Sequence, residues 1–105
     1  MKQFFKNIFA PEKKVDFAAL VKNGATIVDV RTADEFSFGH IENAINIPLD
    51  QIESGVAGIE DKNALVILCC ASGSRSAYAL SLLKAEGYAH VYNGAGWRNL
   101  QQEIK

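Results

Sequence analysis

Residues 64–88 read ALVILCCASGSRSAYALSLLKAEGY, and the order of their parts decides the fold. ALVILCC is an uninterrupted apolar run of strand length, the pattern expected when helices cover both faces of a sheet. ASGSR is a turn of small residues, and SAYALSLLKAEGY a helix whose Ala77, Leu80, Leu83 and Tyr78 are expected to face the sheet, with Gly87 as its stop. A buried strand that passes through a short turn into a helix is the unit of a parallel α/β sheet.

The flanking sequence repeats that alternation. Asp16 can cap FAALVKNG, where Phe17, Leu20 and Val21 form one apolar face and Gly24 ends the helix. TIVDV, residues 26–30, is a β-branched strand, and Thr32 with Glu35 three positions on has the form of a capping box opening a second helix. AINIP is a short strand closed by Pro48, followed by a segment, residues 49–61, whose Gly55 and Gly58 leave it between helix and turn. HVYN is a last strand, NGAG a turn and WRNLQQEI a terminal helix. The expected architecture is therefore α/β, a small mainly parallel sheet with helices on both faces and right-handed crossovers, with function outside the carboxyl ends of the strands.

The chain has 105 residues, 49% of them hydrophobic and 22% charged, which suits one domain and excludes a deep site between two. The expected division is an N-terminal arm over residues 1–14 and a single domain over 15–105. Lys6 and Asn7 interrupt the arm, so it has neither the apolar core of a signal peptide nor the length of a transmembrane span. With 11 basic and 12 acidic residues spread along the chain, no nucleic-acid surface is expected. Cys69 and Cys70 are adjacent and cannot close a stabilising loop, which points to a reducing, cytoplasmic setting rather than a secreted disulfide scaffold.

The chemistry concentrates where the strand meets the helix. Small residues after Cys70 let successive backbone N–H groups turn inward, and the free amides of the new helix add to that positive concavity. A thiolate or a bound anion would be stabilised there, which lowers the pKa expected of Cys70. Cys69 continues the strand alternation into a packed face, whereas Cys70 is expected to start the turn, so Cys70 is the candidate nucleophile. Arg75 can lend its charge to the cradle or pin the loop through a carbonyl or carboxylate. Neither the CC pair nor the two separated histidines forms a zinc pattern, so no metal is expected.

CASGSRS at residues 70–76, DVRTADEFSFGHIENAINIPL at 29–49 and GYAHVYNGAGW at 87–97 together resemble the single-domain rhodanese sulfurtransferases over residues 15–105. The resemblance implies a rhodanese-like fold and a Cys70 that carries sulfur as a persulfide, cradled by Ala71, Ser72, Gly73, Ser74 and Arg75, with no cofactor beyond that covalent intermediate. It implies thiosulfate or another sulfane sulfur donor, and cyanide, a small thiol or a protein thiol as acceptor. Asp29 and Arg31 match the family's DVR motif, and Arg31 is expected to make a structural ion pair with Asp34, Glu35 or another carboxylate. His40 lies in the GHI motif and is expected to hydrogen bond structurally. Trp97 is expected to lock the terminal helix to the core ahead of shaping the mouth of the site. The chain departs from the family in GHIEN, where a proline and glycine are frequent, and in GAG, where two adjacent glycines are usual.

Two other readings compete. Cys69 followed by five residues and Arg75 has the C-x5-R spacing of cysteine phosphatases, and a rhodanese-like fold can serve as a non-catalytic binding module. Loop length favours sulfur transfer over phosphate chemistry, because a phosphate needs a wider amide ring than a terminal sulfur. Oligomeric state is open.

Overall fold

The computed structural model describes residues 14–52, 56 and 58–105. The arm expected over residues 1–14 lies outside them except for Lys14. The elements run α1 (Phe17–Lys22), β1 (Thr26–Asp29), α2 (Ala33–Phe38), β2 (Ile45–Asn46), a 3-10 turn (Leu49–Gln51), β3 (Leu65–Cys70), α3 (Ser74–Ala85), β4 (His90–Gly96) and α4 (Trp97–Ile104). Of the segment at 49–61, the 3-10 turn is the helical part among the described residues, and residues 53–55 and 57 fall outside the description.

The four strands form one sheet in the order β2-β1-β3-β4, and every neighbouring pair is parallel. Strand alternation divides the interior in two. Val66, Leu68 and Cys70 face a core with Val28, Val30, Ala79 and Leu83, covered by α3. Ile67 and Cys69 face the other core with Ile27, Ile41, Trp97 and Leu100, closed by Phe17, Leu20 and Val21 of α1 and Ile104 of α4. Helices on both faces explain why ALVILCC carries no polar residue: Val66, Ile67 and Leu68 are fully buried, and each contributes about 1.5–3 kcal/mol by leaving water.

The local signals act as expected at the helix starts. Asp16 accepts from the Ala19 amide at 3.0 Å, and Thr32 and Glu35 make a reciprocal capping box. Gly24 and Gly87 take the left-handed conformation, with φ of 95° and 97°, which closes α1 and α3 at little steric cost.

Three expectations are corrected. NGAG is no turn: β4 runs through it to Gly96, pairing Ala95 with Cys69 and Gly96 with Cys70, with a register shift that leaves Gly94 as the extra residue. A Cβ on Gly94 would lie 2.8 Å from Leu100 Cδ2 and 2.9 Å from Ile67 Cγ2, so the glycine is a packing requirement under α4. Cys70 is the last residue of β3 and does not begin the turn. In α3, Leu83 and the partly buried Leu80 face the core as expected, together with Ser76 and Ala79, whereas Ala77 is exposed and Tyr78 is 56% exposed. The helix begins at Ser74, two residues earlier than expected, and Ser76 is held at Cys70, so the buried stripe runs through Ser76 and Ala79 in place of Ala77 and Tyr78.

Candidate functional site

The loop between β3 and α3 lies at the carboxyl end of the central strand, where an open parallel sheet presents its ligands. Gly73 is the N-cap of α3, with φ of 108°, and no side chain caps the helix. The Cys70 sulfur stands in that role. It accepts from the Gly73 amide at 3.0 Å and from the Ser76 amide at 3.4 Å, and it lies 3.4 Å from the Ser76 hydroxyl. The unsatisfied amides and the positive end of the helix dipole thus converge on one sulfur.

The electrostatic outcome differs sharply between the adjacent cysteines. Burial alone pushes the Cys70 thiol up, but hydrogen bonds from the Ser76 hydroxyl and from the amides of Ser76, Gly73 and Ser72 outweigh it. The net value is below that of an ordinary cysteine. Cys69 sits on the opposite face among Ile27, Ile41, Ile67, Trp97 and Leu100. Burial, with the nearby Asp29 charge adding to it, raises that thiol to about 12. The C-x5-R frame that starts at Cys69 therefore begins with an un-ionised thiol facing away from the loop.

Arg75 takes the carboxylate role. Its guanidinium makes a two-pronged pair with Glu35 of α2, at 2.7 and 3.0 Å, and holds that half-exposed carboxylate down at about 2. The Glu35 oxygen at 2.7 Å from Arg75 is also the acceptor of the Thr32 amide in the capping box. One carboxylate thereby joins the start of α2 to the active-loop helix across forty residues of sequence. A cleft of about 420 Å³ lined by Val30, Thr32, Pro48, Leu49, Asp50, Arg75, Tyr78 and Leu82 opens beside this pair.

Asp29 and Arg31 form a buried ion pair at the end of β1. Asp29 is fully buried, and Arg31 donates to its carboxylate through Nε and one terminal nitrogen at 2.7–3.1 Å. Arg31 also donates to the backbone oxygens of Gly39 at 2.7 Å and Glu35 at 3.3 Å, and its guanidinium stacks 4.8 Å from the Trp97 ring. The partner is thus Asp29, and Glu35 contributes its carbonyl instead of its carboxylate. Asn46 donates to the carbonyls of both Asp29 and Arg31 at 2.9 Å.

His40 and Trp97 are placed away from the sulfur. His40 Nδ1 meets the Phe36 carbonyl at 2.7 Å, and its ring stacks on Phe36 at 3.7 Å. Trp97 belongs to the core on the Cys69 face of the sheet. Ala71, Ser72 and Ser74 are exposed around the loop. Among the described residues no group of three or more His, Cys, Asp or Glu is arranged to hold a metal ion.

Ser76 and Asn93 were not singled out from the sequence, and both reach the centre of the site. Ser76 is fully buried, and its hydroxyl bonds to the Gly73 carbonyl at 3.1 Å and to Asn93 Oδ1 at 2.7 Å. A serine where the α3 pattern asks for a core residue is the one signal that could have found it. Asn93 lies just before the β4 bulge, and no local pattern distinguishes it from a turn asparagine.

Comparison with known proteins agrees with this architecture. The sequence model of the Rhodanese-like domain matches residues 14–101. The thiosulfate sulfurtransferase PspE of Escherichia coli is 35% identical over 74 residues, covering 70% of this chain and 71% of that protein. A tRNA sulfurtransferase of Thermoplasma acidophilum is 32% identical over 70% of this chain, which spans 14% of that protein's length. A solved structure described as rhodanese with anions from E. coli superimposes with a TM-score of 0.69 at 34% identity, covering 72% of this chain and 91% of that one. The chain belongs to the rhodanese-like domain family.

Proposed function

We propose that this protein is a sulfurtransferase in which Cys70 carries sulfane sulfur from thiosulfate or a similar donor to cyanide or a thiol. The observation that carries the reading is the convergence of the Gly73 and Ser76 amides and the Ser76 hydroxyl on the Cys70 sulfur. Such donors stabilise the thiolate that attacks and the anionic sulfur held between the two steps. A likeness to a relative named as a thiosulfate sulfurtransferase adds to it.

In the first half-reaction the Cys70 thiolate attacks the outer sulfur of thiosulfate. A bond forms between the two sulfurs, the old sulfur–sulfur bond breaks, and sulfite leaves with its electron pair. In the second, cyanide or a thiolate attacks the outer sulfur of the persulfide, and Cys70 departs as a thiolate. The double displacement needs no base beyond the one that ionises Cys70. Cys70 is fully buried, and in the second half-reaction the persulfide carries the transferable sulfur about 2 Å beyond Sγ. Ala71, Ser72, Ser74 and Arg75 form the remainder of the cradle. Asp29 and Arg31 tie the end of β1 to Glu35, Gly39 and Trp97, and with His40 they support the scaffold rather than the sulfur.

The test supplies thiosulfate and cyanide to the wild type, Cys69→Ser and Cys70→Ser, and in parallel an aryl phosphate. Thiocyanate from the first two and none from Cys70→Ser is expected. Cys70-dependent phosphate release without thiocyanate would establish phosphatase chemistry instead, and a folded protein inert in both assays would be a binding module.

A further inference from the structure

Ser76 brings one hydroxyl proton to a site with three acceptors. Its Oγ lies 2.7 Å from Asn93 Oδ1, 3.1 Å from the Gly73 carbonyl and 3.4 Å from the Cys70 sulfur. Chemistry fixes which atom of the Asn93 amide faces it. The Ala95 backbone N–H, 2.8 Å from the same atom, can only donate, so that atom is the carbonyl oxygen. The oxygen cannot donate to Ser76, and the 2.7 Å contact therefore uses the Ser76 proton. The Asn93 Nδ2 end faces the Gly73 carbonyl at 3.5 Å, which is consistent with this orientation.

The arrangement closes perfectly only around a neutral sulfur. As a thiol, Cys70 donates S–H to Ser76 Oγ, and Ser76 donates O–H to Asn93. As an anion, Cys70 has nothing to donate and would face the lone pairs of Ser76. The hydroxyl must then rotate toward sulfur and give up its bond to Asn93.

We propose that Asn93 is a positioning residue that competes with the Cys70 sulfur for the Ser76 hydroxyl proton and thereby holds back the acidity of Cys70. The amides of Gly73 and Ser76 supply a fixed stabilisation of the anion, and the Ser76 hydroxyl supplies a switchable one whose cost Asn93 sets. Asn93 reaches the sulfur mainly through Ser76, at 2.7 Å, with a long 3.5 Å contact to the Gly73 carbonyl as its other link to the loop. The charged groups of the neighbouring elements are committed to one another: Arg75 of α3 to Glu35 of α2, and Arg31 to Asp29 at the end of β1. Cys69 lies on the other face of β3, and β4 contributes the neutral Asn93. The inference deepens the reading of Cys70 as the reactive sulfur, yet its test reads acidity alone and stands whether or not sulfur is transferred.

The experiment follows iodoacetamide alkylation of Cys70 against pH, by mass spectrometry of its peptide, in the wild type, Asn93→Ala, Ser76→Ala and the double variant. Asn93→Ala is expected to lower the midpoint by about half a pH unit or more, the worth of one hydrogen bond lost from the neutral form only. Ser76→Ala is expected to raise the midpoint, and the double variant to match Ser76→Ala. A midpoint that Asn93→Ala leaves alone or raises overturns the proposal, as does an equal shift in the Ser76→Ala background. Where Asn93→Ala fails to fold, Asn93→Asp keeps an acceptor for Ala95 and pulls harder on the hydroxyl. Its midpoint is expected to rise more with Ser76 present than with Ser76→Ala, which subtracts the plain effect of the added charge, and an equal or smaller rise overturns the proposal.

Discussion

The Gly73 amide nitrogen lies 3.0 Å from the Cys70 sulfur, and the conformation that brings it there is one glycine alone adopts freely. Gly73 has φ of 108°, and a Cβ would stand 3.2 Å from the Cβ of Ala95. Gly73→Ala is expected to cost about 1–2 kcal/mol of stability through left-handed strain, with more from that contact. It should also raise the pH midpoint of Cys70 alkylation as the amide swings off the sulfur. Denaturant unfolding and the alkylation profile read the two effects, and an unshifted profile would show that the Gly73 conformation is not needed for the cradle.

Gly94 carries a different constraint. Its backbone lies against Leu100, Ile67 and the Leu68 carbonyl, each within 3.1 Å of where a Cβ would be. Gly94→Ala is expected to destabilise by about 1–3 kcal/mol through overpacking. A urea midpoint equal to that of the wild type would mean that α4 moves aside at no cost.

The pair of Arg75 and Glu35 gives stability a signed dependence on pH. Glu35 ionises at about 2 in the fold against an ordinary 4.5, a depressed carboxylate. Its contribution is fully present above 4.5 and is lost as pH falls through about 2. The melting temperature of the wild type should exceed that of Glu35→Gln at neutral pH, and the gap should close across that acid window. The gap should also shrink with added salt, because the pair is partly exposed. A gap that stays constant into acid would assign the effect of Glu35 to something other than its charge.

Asp29 is the buried counterpart. Arg31 is 4% exposed and its charge is matched by the fully buried Asp29. Asp29→Ala leaves a buried guanidinium without its carboxylate and is expected to cost about 3–5 kcal/mol. Equilibrium unfolding measures it, and a loss below about 1 kcal/mol would place the pair with weak surface bridges.

What the sequence made legible follows the range of the interactions. The apolar run of β3, the Asp16 cap and the capping box of Thr32 and Glu35 are set by residues within a few positions of each other, and each appears as expected. The opposite facing of Cys69 and Cys70 follows from strand alternation, although Cys70 is the last residue of the strand and not the first of the turn. NGAG was misjudged because glycines that make room under Leu100 look the same in sequence as glycines that make a turn. Arg75 could not be matched to Glu35 by spacing, since forty residues separate them and only the tertiary fold brings α2 and α3 together. Ser76 and Asn93 were missed for the same reason: a hydrogen bond between a helix start and a neighbouring strand has no local signature.

Function turns on which sulfur becomes charged and carries the transferable atom. The folded protein, treated with thiosulfate, digested and mapped by mass spectrometry, should carry the mass of one added sulfur atom on Cys70 and lose it on addition of cyanide. An adduct on Cys69, or none on a protein whose fold is shown to be intact, would contradict it.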